Sequence, residues 1–95
     1  MLVKTGYGEI MDLDYVHQPE RWDWTVNCGE CGGAKKQVFY RLRGGCAGQR
    51  YEHLFASLDM QPVAEEYNKF VNWLRSGGVG IYEFPEIAKG VPGNA

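Results

Sequence analysis

The hydrophobic pattern begins with a period of two. Over residues 9–16, Met11, Leu13 and Tyr15 fall on one side and Asp12 and Asp14 on the other, which predicts a half-buried strand with an acidic outer face. Trp22, Trp24 and Val26 alternate with Asp23, Thr25 and Asn27, predicting a second strand with an aromatic inner face. Residues 36–43 alternate again, with Val38, Tyr40 and Leu42 against Gln37, Phe39, Arg41 and Arg43. Short strands are expected at residues 2–4 and 79–84, the second ended by Pro85.

The period then lengthens. Tyr51, Leu54, Phe55 and Leu58 sit at helical spacing and predict a short helix over residues 49–58. Val63, Tyr67, Phe70, Val71 and Leu74 form one apolar stripe, which predicts the main helix near residues 62–76. Asp59 suits its N-cap, Pro62 its first turn, and Gly77-Gly78 its end. Glu65 and Lys69 are spaced for an i, i+4 pair on the wet side, where Glu66 is also expected. The expected fold class is α+β: a small antiparallel sheet of three to four strands packed on one main helix.

Between the second and third strands lies Cys28-Gly29-Glu30-Cys31-Gly32-Gly33, a C-x-x-C pair closed by glycines. Two cysteines so spaced can turn both sulfurs toward one tetrahedral ion. These six residues resemble one knuckle of the zinc-ribbon and rubredoxin-like group of metal sites. The resemblance implies a knuckle in which Cys28 and Cys31 hold zinc at the tip of a β-hairpin. With Cys46 and His53 downstream, the run reads C-x2-C-x14-C-x6-H, a candidate Cys3His zinc site; His17 is the alternative fourth ligand. Two other readings of the pair are a thiol-redox centre using Cys28 and Cys31, and plain reduced cysteines in a tight turn.

Ninety-five residues, 44% hydrophobic and 23% charged, describe a single small globular domain, with residues 89–95 expected as a frayed tail. A core of that size gains from a metal staple. Three cysteines do not close a disulfide framework. No apolar run approaches the roughly 20 residues of a membrane span, and the N-terminus lacks the apolar core of a signal peptide. A reducing cytoplasm is the expected compartment.

The net charge of -2 hides a segregation. Residues 35–50 hold five bases, Lys35, Lys36, Arg41, Arg43 and Arg50, and no acid, while both flanks are net acidic. With Phe39 between them, these bases are a candidate nucleic-acid surface through phosphate pairing and base stacking. The competing reading pairs the arginines with Asp12, Asp14 or Asp23 on neighbouring strands. Trp73, beside the helical stripe, is either a cap on the core or an anchor for a protein partner. No nucleophile elbow, phosphate loop or close histidine pair points to catalysis.

These patterns predict a non-enzymatic binding or regulatory protein that acts through a protein partner, with zinc as a structural ion. By size such chains are similar to accessory and inhibitor proteins of phages and mobile elements, a likeness that no residue carries. The alternatives are a zinc-knuckle nucleic-acid binder and a thiol-redox protein.

Overall fold

The computed structural model describes residues 1–28, 33–46, 52–88 and 91, leaving out the side chains of 26–28, 34, 35 and 52. Its elements, in order, are β1 (Leu2–Lys4), β2 (Ile10–Asp12), β3 (Tyr15–Val16), β4 (Glu20–Cys28), β5 (Gly33–Gly45), β6 (Glu52–Ser57), α1 (Met60–Arg75) and β7 (Ile81–Glu83). The fold is α+β, with several strands of mixed direction packed against one helix.

The strands form two sheets rather than the single antiparallel sheet expected. In the smaller, β1 is central, antiparallel to β2 and parallel to β7, with Val3 facing Tyr82. Parallel neighbours need a long connection, and here most of the chain intervenes, so no local alternation signals the pairing. The larger sheet is organised by β5. Along one edge β5 pairs with β4 from Gly33 to Arg41 and then with β3 at Gly44 and Gly45. Along the other it pairs with β6 from Tyr40 to Gly44.

The single strand expected over residues 9–16 is two. The chain changes sheet at Leu13-Asp14: the Leu13 amide donates to the Met1 carbonyl, 2.7 Å, and the Asp14 amide to the Gly45 carbonyl, 2.9 Å. The short helix expected over residues 49–58 is strand β6 where the structure describes it. Its backbone is claimed by the long β5 edge, which overrides a helical spacing of four apolar residues. Leu54 is a bulge residue there, since Leu42 faces Phe55 while Arg43 faces His53. The freed Leu54 carbonyl accepts from the Gly6 amide, 2.7 Å, and so ties the sheets together.

Helix α1 begins two residues earlier than the stripe suggests. Asp59 does occupy the N-cap position, but its side chain makes no capping bond. The buried positions are Val63, Glu66 and Phe70, one face at helical spacing, while Leu74 is exposed. Glu65 accepts from Gln61, 3.0 Å, and Lys69 lies nearer Glu66, 4.0 Å, so the expected Glu65–Lys69 pair is replaced. Gly77 and Gly78, with φ of 109° and 59°, return the chain, their amides donating hydrogen bonds to the Leu74 and Trp73 carbonyls.

The core joins both sheets and the helix through Val3, Leu13, Phe39, Leu42, Leu54, Val63, Phe70, Phe84 and Ile87. Val91, in the tail expected to fray, is 4% exposed and belongs to this core; the other tail residues from 89 onward lie outside the described residues. Among the described residues, no helix is long and apolar enough to cross a membrane.

Candidate functional site

The feature that sets this fold apart is the length of the β4–β5 pair. Because β6 stops opposite Tyr40, residues 33–39 of β5 have β4 on one edge and, among the described residues, no strand on the other. The result is a two-stranded ribbon extending from the core, in a molecule 51 Å long and 28 Å across.

Alternation sorts the ribbon's side chains. Register places Glu20, Trp22, Trp24, Gln37, Phe39, Arg41 and Arg43 on one face, and Arg21, Asp23, Thr25, Lys36, Val38 and Tyr40 on the other. On the first face the Trp22 ring contacts Phe39 at 5.0 Å, Trp24 at 5.2 Å and His53 at 4.8 Å between centroids. The Arg41 guanidinium lies 3.7 Å above the Trp22 ring. Its Nε meets Glu20 Oε1 at 2.7 Å, and Arg43 Nε reaches the same oxygen at 2.9 Å. Arg41 Nη1 donates to His53 Nε2 at 2.6 Å; arginine has donors only, so that ring nitrogen accepts. Burial first, then the Arg41 charge, holds the His53 pKa below the ordinary histidine value, against a smaller upward pull from Glu20.

This cluster rigidifies the base of the ribbon. The His53 Nε2 and the Glu20 carboxylate are both engaged by arginine, and among the described residues no serine or cysteine is bonded to either of them. On the opposite face Asp23 joins Lys36, 2.9 Å, and Arg21, 3.1 Å. The Lys36 bond is the first cause that keeps the Asp23 carboxyl below its usual range.

The residues proposed for nucleic-acid contact are therefore otherwise employed. Phe39 is 0% exposed and offers no stacking surface. Arg41 and Arg43 serve Glu20, an acid that the sequence reading did not single out because its place opposite Arg41 depends on register. Lys36 is exposed but bound to Asp23. The side chain of Lys35, and Arg50 altogether, lie outside the described residues. Trp73 caps the core: its ring meets Phe70 and Tyr82, and its Nε1 donates to the Val79 carbonyl at 3.2 Å.

Of the four proposed metal ligands, Cys28 is not brought together with Cys46 or His53. Cys28 pairs with Gly33 at one end of β5, while Cys46 follows Gly45 at the other, about 40 Å of strand away. His53 pairs with Arg43, also near the far end. Zinc–sulfur bonds are about 2.3 Å, so one ion cannot span that distance. The Cys46 thiol instead donates to the Asp12 carbonyl, 2.7 Å. Among the described residues no group of three or more His, Cys, Asp or Glu side chains could hold a metal ion. The Cys28 side chain and Cys31 lie outside the described residues, as does the knuckle they would form.

Comparisons with protein families, with curated proteins and with solved structures found no match to this chain.

Proposed function

We propose that this chain is a non-enzymatic protein-binding domain whose docking element is the β4–β5 ribbon. The supporting observation is its shape. Among the described residues neither outer edge of the ribbon over residues 33–39 of β5 and their β4 partners pairs with a further strand, and an unpaired edge is the arrangement by which sheets recruit one. Trp24, 36% exposed beside the anchored Trp22, adds an aromatic contact of the kind enriched at protein interfaces. The Trp22–Arg41–Glu20–His53 cluster holds the ribbon's base in one geometry before any partner arrives, which lowers the ordering cost of binding.

Nucleic-acid binding is the weaker reading, because Phe39 is buried and Arg41, Arg43 and Lys36 already have acidic partners. The test compares the wild-type chain with Trp24→Ser as bait in parallel captures from cells of its source. A protein retained by the wild type and lost with the variant is the expected result. Identical retained sets, or salt-sensitive retention of nucleic acid alone, would overturn the reading.

A further inference from the structure

We propose that the cleft at the ends of β1 and β7 binds a free basic α-amino acid, with Lys4 on its carboxylate, Glu83 on its α-ammonium and Glu86 on its side-chain cation. The cleft is formed by the small sheet, away from the ribbon, and does not depend on the protein-binding reading.

Strands β1 and β7 run parallel, so both end on the same side of the sheet, at Lys4 and Glu83. Beyond them lies a cleft of about 330 Å³ between the turn of residues 5–8 and the segment of residues 84–86. That volume is at the lower end of the range of small-ligand sites. Its walls are held by the backbone. Thr5 Oγ1 accepts from the Tyr7 and Glu9 amides at 3.3 and 3.2 Å, and the Gly8 amide donates to the Thr5 carbonyl at 2.9 Å. Across the cleft the Phe84 amide donates to the Lys4 carbonyl at 2.9 Å and the Ile87 amide to the Gly6 carbonyl at 3.2 Å. A cleft braced in this way is formed before a ligand arrives, which lowers the ordering cost of binding.

The charges around it name the ligand. Lys4 and Glu83 face each other in the strand register, both exposed, where opposite charges attract. Among the described residues neither forms an ion pair, and nor does Glu86. A cation and an anion side by side but not joined suit a ligand that carries a carboxylate and an ammonium on one carbon, each end taking a charge-assisted hydrogen bond. The lining holds one base and two acids, so a second cation on the ligand is needed to match Glu86. A simple anion would meet two carboxylates, and a simple diamine would meet Lys4. Tyr7, 36% exposed at the cleft, offers ring surface to the aliphatic stem between the two cations. Burial raises the Tyr7 pKa, which keeps the phenol neutral beside the ligand.

The test titrates the whole protein, isotope-labelled, with L-arginine, with agmatine, which lacks the carboxylate, and with L-citrulline, which lacks the side-chain charge. The readout is the amide shift. Arginine is expected to move the amides of Lys4 to Gly8 and of Glu83, Phe84 and Glu86, and the two analogues to bind about tenfold more weakly. Lys4→Met should abolish the preference for arginine over agmatine, and Glu86→Gln the preference for arginine over citrulline. Glu83→Gln should weaken arginine and agmatine alike. All three side chains are exposed, so the variants keep the fold. The proposal is overturned if arginine moves none of these amides, or if sodium chloride at equal ionic strength moves them in the same way. It is also overturned if either analogue binds as well as arginine, or if the preferences survive in the variants.

Discussion

The Tyr82 hydroxyl donates a 2.5 Å hydrogen bond to Glu66 Oε1, joining the central β7 residue to the buried face of α1. Glu66 is only 5% exposed, so this bond accounts for an acid in the middle of an apolar stripe. Removing the donor leaves a buried acceptor short of a partner. Tyr82→Phe is expected to lower stability by about 1–3 kcal/mol, seen as a lower denaturant midpoint with little change in slope. An unchanged midpoint would show that the bond contributes nothing.

The same contact has a pH signature. Burial, followed by the hydrogen bond to Glu66 and the repulsion of its charge, raises the Tyr82 pKa above the ordinary value of 10.0. A group whose folded pKa is raised stabilises fully below its unfolded value and loses that contribution as pH climbs beyond it. Stability should therefore fall above about pH 10, less steeply in Tyr82→Phe. Ultraviolet titration should show one late-ionising phenol in the wild type that the variant lacks. Identical titration curves would refute this.

His53 gives the opposite sign. Its folded pKa lies below the ordinary 6.5, so its contribution is complete above that value and is lost as pH falls through the lowered one. As pH falls below 6.5 the melting temperature is expected to drop in the wild type and to stay flatter in His53→Gln, which keeps an acceptor for Arg41. The carboxyl of Asp23 titrates below its own usual 3.8 and does not confuse this window. Parallel slopes for the two proteins would sink the assignment.

Gly44 is where β5 is flanked by β3 and β6 together. A Cβ there would stand 2.6 Å from the Tyr15 carbonyl oxygen and 3.1 Å from a Leu54 methyl. The nearest obstacle is backbone and cannot swing aside. Gly44→Ala is expected to destabilise by about 1–3 kcal/mol in thermal or urea unfolding. Gly33→Ala, with nothing within 4 Å, serves as the control in the same sheet.

Cys46 stands a strand's length from Cys28, bonded to the Asp12 carbonyl. Cys46→Ser is expected to leave the metal content of protein purified without chelator unchanged, as read by elemental analysis. Stoichiometric zinc in the wild type that disappears in this variant would contradict the separation of the two cysteines.

Much of the fold is written in local pattern. The alternations around Trp22 and Tyr40 are β4 and β5, the stripe from Val63 to Phe70 is α1, and the Gly77-Gly78 stop is where the helix ends. Each is decided by neighbours within a few residues, through side-chain period and backbone freedom. Sequence also shows that bases and acids are segregated, but not which acid meets which base. Glu20 holds Arg41 and Arg43 because of strand register, Glu66 is buried because β7 brings a phenol to it, and residues 52–57 form a strand because β5 offers them an edge. Those outcomes depend on groups far apart in the chain, whose meeting is settled only when the two sheets and the helix close around one core. The spread of the cysteines follows from the same cause: fourteen residues between Cys31 and Cys46 suit one metal site if they fold back, and reach the far end of the sheet when thirteen positions become the single strand β5.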